Sequence, residues 1–176
     1  DKNGSLRAYS KLKDGVKYEL FYKMDNNKFE RIHETNWDES FGIQNFNYAS
    51  DNKHEAYVVS NLETDKTEIF RYDLAKQKPI ERLFSHEKYD VSGMGISRNR
   101  NWELDYFSYE GDKYHIVPIS DYFKKLYNRL SEEFAGYDFY VSDKTDDETQ
   151  YLIYVTSDKL YGRYYSYDLK KFYQTF

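Results

Sequence analysis

Glu68-Ile69-Phe70-Arg71-Tyr72-Asp73-Leu74 decides how the chain is read, because Arg163-Tyr164-Tyr165-Ser166-Tyr167-Asp168-Leu169 echoes it and shares its Tyr-Asp-Leu end. A third, earlier echo is Glu19-Leu20-Phe21-Tyr22, followed by Glu30-Arg31-Ile32, which answers Glu81-Arg82-Leu83. The first two copies lie roughly 50 residues apart and the last two roughly 95, which leaves room for one degenerate copy between them. The implied unit of about 45–50 residues is the length of one four-stranded propeller blade.

Working outward, residues 43–48, 55–60, 67–73 and 79–85 read as four short strands. Turn-formers at Ser50-Asp51-Asn52, Glu63-Thr64-Asp65 and Ala75-Lys76-Gln77 separate them. The next unit offers strands at 91–97, 102–109 and 114–117, and the last at 137–142, 151–157, 163–168 and a tail at 172–176. The first unit lacks a clear opening strand: it offers 6–9, then a hairpin of 16–23 and 28–34 across Asp25-Asn26-Asn27. Ile119, Tyr122, Phe123, Leu126, Tyr127, Leu130 and Phe134 instead fall at helical spacing, with Ser120 or Asp121 as cap and Gly136 as stop. The expected fold is therefore mostly β, a partial β-propeller of about three to four four-stranded blades with one inserted amphipathic helix at about 119–135. The units run roughly 1–36, 37–86, 87–135 and 136–176. The helix replaces or follows the outer strand of the third, its apolar stripe packed on its own sheet.

Composition narrows the function classes. Of 176 residues 39% are hydrophobic in character, but 21 are tyrosine, so the chain buries rings with wet hydroxyl ends. Lys+Arg of 26 against Asp+Glu of 31 leaves a formal charge of −5, which disfavours a nucleic-acid partner. With no cysteine, disulfide scaffolds, thiolate metal sites and cysteine nucleophiles are excluded. No apolar run reaches the length of a membrane span. The chain opens on Asp1-Lys2-Asn3-Gly4, consistent with a trimmed product, and the compartment stays open between cytoplasm and export.

The units also follow a familiar succession. Ala56-Tyr57-Val58-Val59-Ser60-Asn61-Leu62 leads into Asp65-Lys66 and Tyr72-Asp73-Leu74. Leu83-Phe84-Ser85-His86, Asp90-Val91-Ser92-Gly93 and the helix come next, then Tyr154-Val155-Thr156-Ser157-Asp158 and Gly162-Arg163-Tyr164-Tyr165. Over roughly residues 40 to 176 this order resembles the propeller half of acylaminoacyl-peptidase or dipeptidyl-peptidase-like serine peptidases of the prolyl oligopeptidase family. The resemblance implies a gating propeller that precedes an α/β-hydrolase domain carrying a Ser-Asp-His triad, with that domain and peptide substrates as partners. No Gly-x-Ser-x-Gly elbow occurs here, and Gly93-Met94-Gly95-Ile96-Ser97 puts its serine in the wrong place, so no catalytic residue carries over. The alternative is a stand-alone propeller-like module that binds glycans or proteins through aromatic faces.

Candidate chemistry is sparse. His33, His54, His86 and His115 fall on separate strand ends or turns, without an elbow to converge on. His86-Glu87-Lys88-Tyr89-Asp90 opens like a zincin helix, but Asp90 stands where the second histidine belongs. As a loop between an outer strand and the next inner one, it places His86, Tyr89 and Asp90 on one propeller face, where they could meet a substrate or another domain. Asp143, Asp146, Asp147 and Glu148 lack the alternating oxygens of a calcium loop and read as an exposed hairpin turn. No metal or cofactor is expected. Tyr164 and Tyr167 are expected on the face opposite Tyr165, with burial for alternate rings only. Terminal blades cut from a ring would leave aromatic faces open, which predicts self-association through them or closure into a small irregular ring.

Overall fold

The computed structural model describes residues 1–169 and, as backbone strand, 171–175. The end of the expected tail strand, Phe176, lies outside the described residues. Four antiparallel sheets follow one another along the chain, each built from strands consecutive in sequence. The first holds β1 (Ala8–Lys13), β2 (Lys17–Lys23) and β3 (Phe29–Thr35), and the second β4 (Phe41–Phe46), β5 (Glu55–Ser60), β6 (Glu68–Asp73) and β7 (Lys78–Phe84). The third holds β8 (Val91–Ser97), β9 (Glu103–Glu110) and β10 (Tyr114–Pro118). After the helix α1 (Asp121–Glu133) comes the fourth, with β11 (Asp138–Lys144), β12 (Gln150–Ser157), β13 (Leu160–Asp168) and β14 (Lys171–Thr175). The chain divides into two compact units, Asp1–Gly93 and Met94–Phe176.

In the first unit, Leu20 and Tyr22 of β2 and Ile32 of β3 pack with Ala56 and Val58 of β5 and with Leu74. Glu55 and Tyr57, on the opposite face of β5, are buried as well. Burial on both faces explains why β5 reads as the continuous run Ala56-Tyr57-Val58-Val59 rather than an alternation. β1 is longer than the expected strand at 6–9. Asp14 and Gly15 both take positive φ, 52° and 74°, in a tight Asp-Gly hairpin turn that pairs Ala8 with Tyr22 and Lys13 with Lys17.

In the second unit, Phe123, Leu126, Leu130 and Phe134 pack against Ile116 of β10 and against Tyr151, Ile153, Val155 and Tyr167 of the fourth sheet. The helix follows β10, so the third sheet has three strands, and its stripe is wide enough to meet both sheets. Ser120 is the N-cap, its Oγ accepting from the Phe123 amide at 3.0 Å. Gly136, at φ 84°, turns the chain out of the helix.

Tyr165 and Tyr167 share the helix-facing side of β13, and Tyr164 lies on the other. This corrects the expectation that Tyr164 and Tyr167 oppose Tyr165. The pairs Tyr164↔Tyr154, Tyr165↔Ile153, Ser166↔Leu152 and Tyr167↔Tyr151 run without a register shift, so the pleat alternates strictly.

Candidate functional site

The loop from β7 to β8 is not helical, and it places His86 and Tyr89 together with their rings stacked, centroids 5.0 Å apart. His86 Nδ1 accepts from the backbone amides of Lys88 and Tyr89 at 3.1 and 3.2 Å, so the ring braces the turn that carries it. Asp90 is held elsewhere: its Oδ1 accepts from the Thr67 amide at 2.8 Å and lies 3.3 Å from Thr67 Oγ1. Thr67 Oγ1 also donates to the Val91 carbonyl at 2.8 Å, and the Val91 amide donates to the Thr67 carbonyl at 3.1 Å. The loop after β7 is thus joined to the loop between β5 and β6 at one end of the second sheet. At that same end the Asn61 side chain accepts from the Ser40 amide at 2.6 Å and donates to the Asp38 carbonyl at 3.1 Å. His86, Tyr89 and Asp90 share one loop, but each is committed to shaping it.

The opposite end of the second sheet carries buried charge. Glu55 is forked by Arg71, Nε to Oε1 at 2.6 Å and Nη2 to Oε2 at 3.2 Å, and also accepts from Asn47 and Ser50. Burial alone would raise the Glu55 carboxyl, but these hydrogen bonds outweigh it and hold it below the ordinary carboxylate range. Asp73 behaves alike: burial is opposed by the Lys76 amide and by Asn52 and the Lys76 ammonium, and the group is held low.

A second ionic centre, in the second unit, is one that sequence reasoning missed. Arg100 reaches Glu148 Oε2 at 2.6 Å, Glu103 Oε2 at 2.8 Å and Asp105 Oδ1, and its guanidinium lies over the Tyr122 ring at 3.8 Å. Lys144 Nζ sits 2.8 Å from Glu148 Oε1 and donates to the Ile96 carbonyl at 3.0 Å. Ser97 Oγ donates to Glu148 at 2.7 Å, and Ser120 Oγ to Asp105 at 2.7 Å, which ties the helix cap into the same cluster. Glu148 is therefore buried and is no part of an exposed turn; Asp143, Asp146 and Asp147 remain exposed. Its positive φ of 54° sets it off from the consecutive acids Asp146 and Asp147. Nothing in the stretch Asp143–Glu148 marks Glu148 out; the available hint was Arg100, the second arginine of Ser97-Arg98-Asn99-Arg100, just before a strand entry. Burial opposes the charge on Glu148, yet Lys144, Ser97 and Arg100 hold its carboxyl low. Three acids, Glu103, Asp105 and Glu148, share two cations, Arg100 and Lys144, and Glu148 contacts both, so the centre braces the fold.

The histidines are otherwise engaged. His54 lies 3.0 Å from the Tyr22 hydroxyl and 3.1 Å from Asp25, and His115 lies 3.2 Å from Asp112 and stacks on Tyr109. His33, within β3 rather than at its end, stacks on Phe41 at 4.5 Å. Among the described residues no group of His, Asp and Glu is arranged to hold a metal ion, and no helix is long and apolar enough to cross a membrane.

On the face of the fourth sheet away from α1, Tyr140, Tyr154 and Tyr164 stand directly opposite one another across β11, β12 and β13. Their centroids are 5.0 and 4.9 Å apart, and Tyr114 extends the row at 5.5 Å from Tyr140. No protein-family model, curated protein or solved structure matches this chain.

Proposed function

We propose that the chain is a run of β-propeller blades from a serine peptidase of prolyl oligopeptidase type, and that it screens peptide access to a separate α/β-hydrolase domain. One observation carries the reading: the two Tyr-Asp-Leu copies occupy equivalent places in two four-stranded sheets. Tyr72 and Tyr167 each stand opposite the second residue of the preceding strand, Ala56 and Tyr151, and Asp73 and Asp168 stand opposite the first, Glu55 and Gln150. The Leu74 and Leu169 amides then donate to the carbonyls of His54 and Thr149, the residues just before those strands, each at 3.0 Å. Sheets of consecutive strands, repeated with matched registers, are how blades are built.

The chain itself is assigned no chemistry, because its sequence lacks a nucleophile elbow and, among the described residues, two of the four buried serines, Ser97 and Ser120, donate to carboxylates. The loop holding His86, Tyr89 and Asp90 is the end we assign to the neighbouring domain, since connections between successive sheets meet the second-to-third-strand loop there. The structure of the full-length gene product tests the reading: it is expected to show these sheets as consecutive blades around one axis beside a hydrolase domain. Sheets that do not share an axis would reject it.

The tyrosine row on the fourth sheet favours a second reading, a glycan-stacking module. Saturable binding of oligosaccharides, lost in Tyr154→Ala, would promote that reading over the first.

A further inference from the structure

A cavity of about 560 Å³ lies between the C-terminal end of α1 and the β12–β13 hairpin. Its size is that of an ordinary small-ligand site. Phe134 and Val155, both part of the packed core, line its apolar wall. Arg163 stands directly opposite Val155 in the strand register, so a guanidinium shares the apolar face at the mouth of this cavity. Lys159 adds a second cation from the hairpin turn, and Glu133 and Asp158 add two acids. None of these four charged side chains forms an ion pair among the described residues. That sets this cavity apart from the Arg100 centre, where every charged side chain is engaged in an ion pair.

The charges are also ordered in space by the elements that carry them. Glu133 is the last residue of α1, at the negative end of the helix dipole, and no basic residue occupies the last turn. That end attracts a cation. Lys159 and Arg163 belong to the hairpin and outweigh the one acid it brings to the cavity, Asp158, so the hairpin side has a net positive charge and attracts an anion. We infer that the cavity is a binding site for a short zwitterionic peptide with an apolar side chain, its ammonium toward Glu133 and the helix end, its carboxylate toward Arg163 and Lys159. The inference concerns one compact unit and does not depend on the propeller reading.

Amide chemical-shift mapping of the chain titrated with the dipeptide Leu-Phe tests it, beside N-acetyl-Leu-Phe and Leu-Phe-amide. Saturable shifts at Phe134 and Val155 are expected, with each capped peptide weaker by about tenfold. Arg163→Gln should weaken only ligands with a free carboxylate, and Glu133→Gln only those with a free amine; both side chains are exposed, so the fold survives the changes. Absence of saturable shifts up to about 10 mM, shifts centred elsewhere, or equal binding of the capped peptides would each overturn the inference.

Discussion

Arg71 grips Glu55 with two nitrogens across adjacent strands, and Glu55 is almost wholly buried while Arg71 keeps one edge in solvent. A third contact from Arg71 to Glu81, at 3.0 Å, carries the network on to β7. Arg71→Met would leave a buried carboxylate facing only Asn47 and Ser50. We expect a loss of about 2–4 kcal/mol in urea unfolding, largely recovered in Arg71→Met/Glu55→Gln, because the double variant removes the stranded charge.

Glu55, Asp73 and Glu148 are all held below their ordinary carboxyl values when folded. The unfolded chain therefore binds protons first as pH falls. The stability these groups supply is complete above about pH 4.5 and is lost as pH drops toward their depressed folded values. Thermal melts from pH 7 to pH 3 should show this loss, and Glu55→Gln/Glu148→Gln should flatten it.

His33 works in a different window. Burial pushes its imidazole below the ordinary histidine value, with Glu39 opposing weakly. The unfolded ring protonates before the folded one, so stability declines as pH falls below about 6.5. His33→Phe, which keeps the stack on Phe41, should remove the decline between pH 7 and pH 5 while the carboxylate phase persists.

Gly95 shows what a glycine inside a strand can mean. A Cβ at this position would overlap the Tyr106 ring, which stacks on Phe123 at 4.7 Å. Gly95→Ala should cost about 1–3 kcal/mol, and a double-mutant cycle with Tyr106→Ala should recover most of it. Equal costs in both backgrounds would show that the backbone, not the ring, sets the requirement.

Much of this fold was legible in the sequence. Strands 55–60 and 91–97 have the bounds expected of them, and Ser120 caps the helix, because flanking turn-formers and capping are local signals. The longer β1 depended on the Asp14-Gly15 turn, which weighs more than the apolar residues around it. The inward turn of Glu148 was not legible, since its partners Arg100 and Ser97 lie about fifty residues away in sequence. Charge pairing at that range is set by topology, and a lone acidic run carries no trace of it.

Outward aromatic rows mark the first and fourth sheets. Tyr9 stacks on Phe21 at 4.9 Å beside Phe29, and Tyr154 meets Tyr164. Such faces drive association when nothing covers them. Light scattering after size exclusion should show a mass that rises with concentration, and Tyr154→Ser/Tyr164→Ser should lower it. A strictly monomeric particle at every concentration would show these faces to be content in water.

The central claim is that these residues gate a peptidase and do not perform its chemistry. Labelling the full-length gene product with a fluorophosphonate, followed by peptide mapping, tests that directly. The account predicts one labelled serine, in a Gly-x-Ser-x-Gly elbow outside residues 1–176. A labelled serine within these residues, or a full-length product with no reactive serine at all, would contradict it.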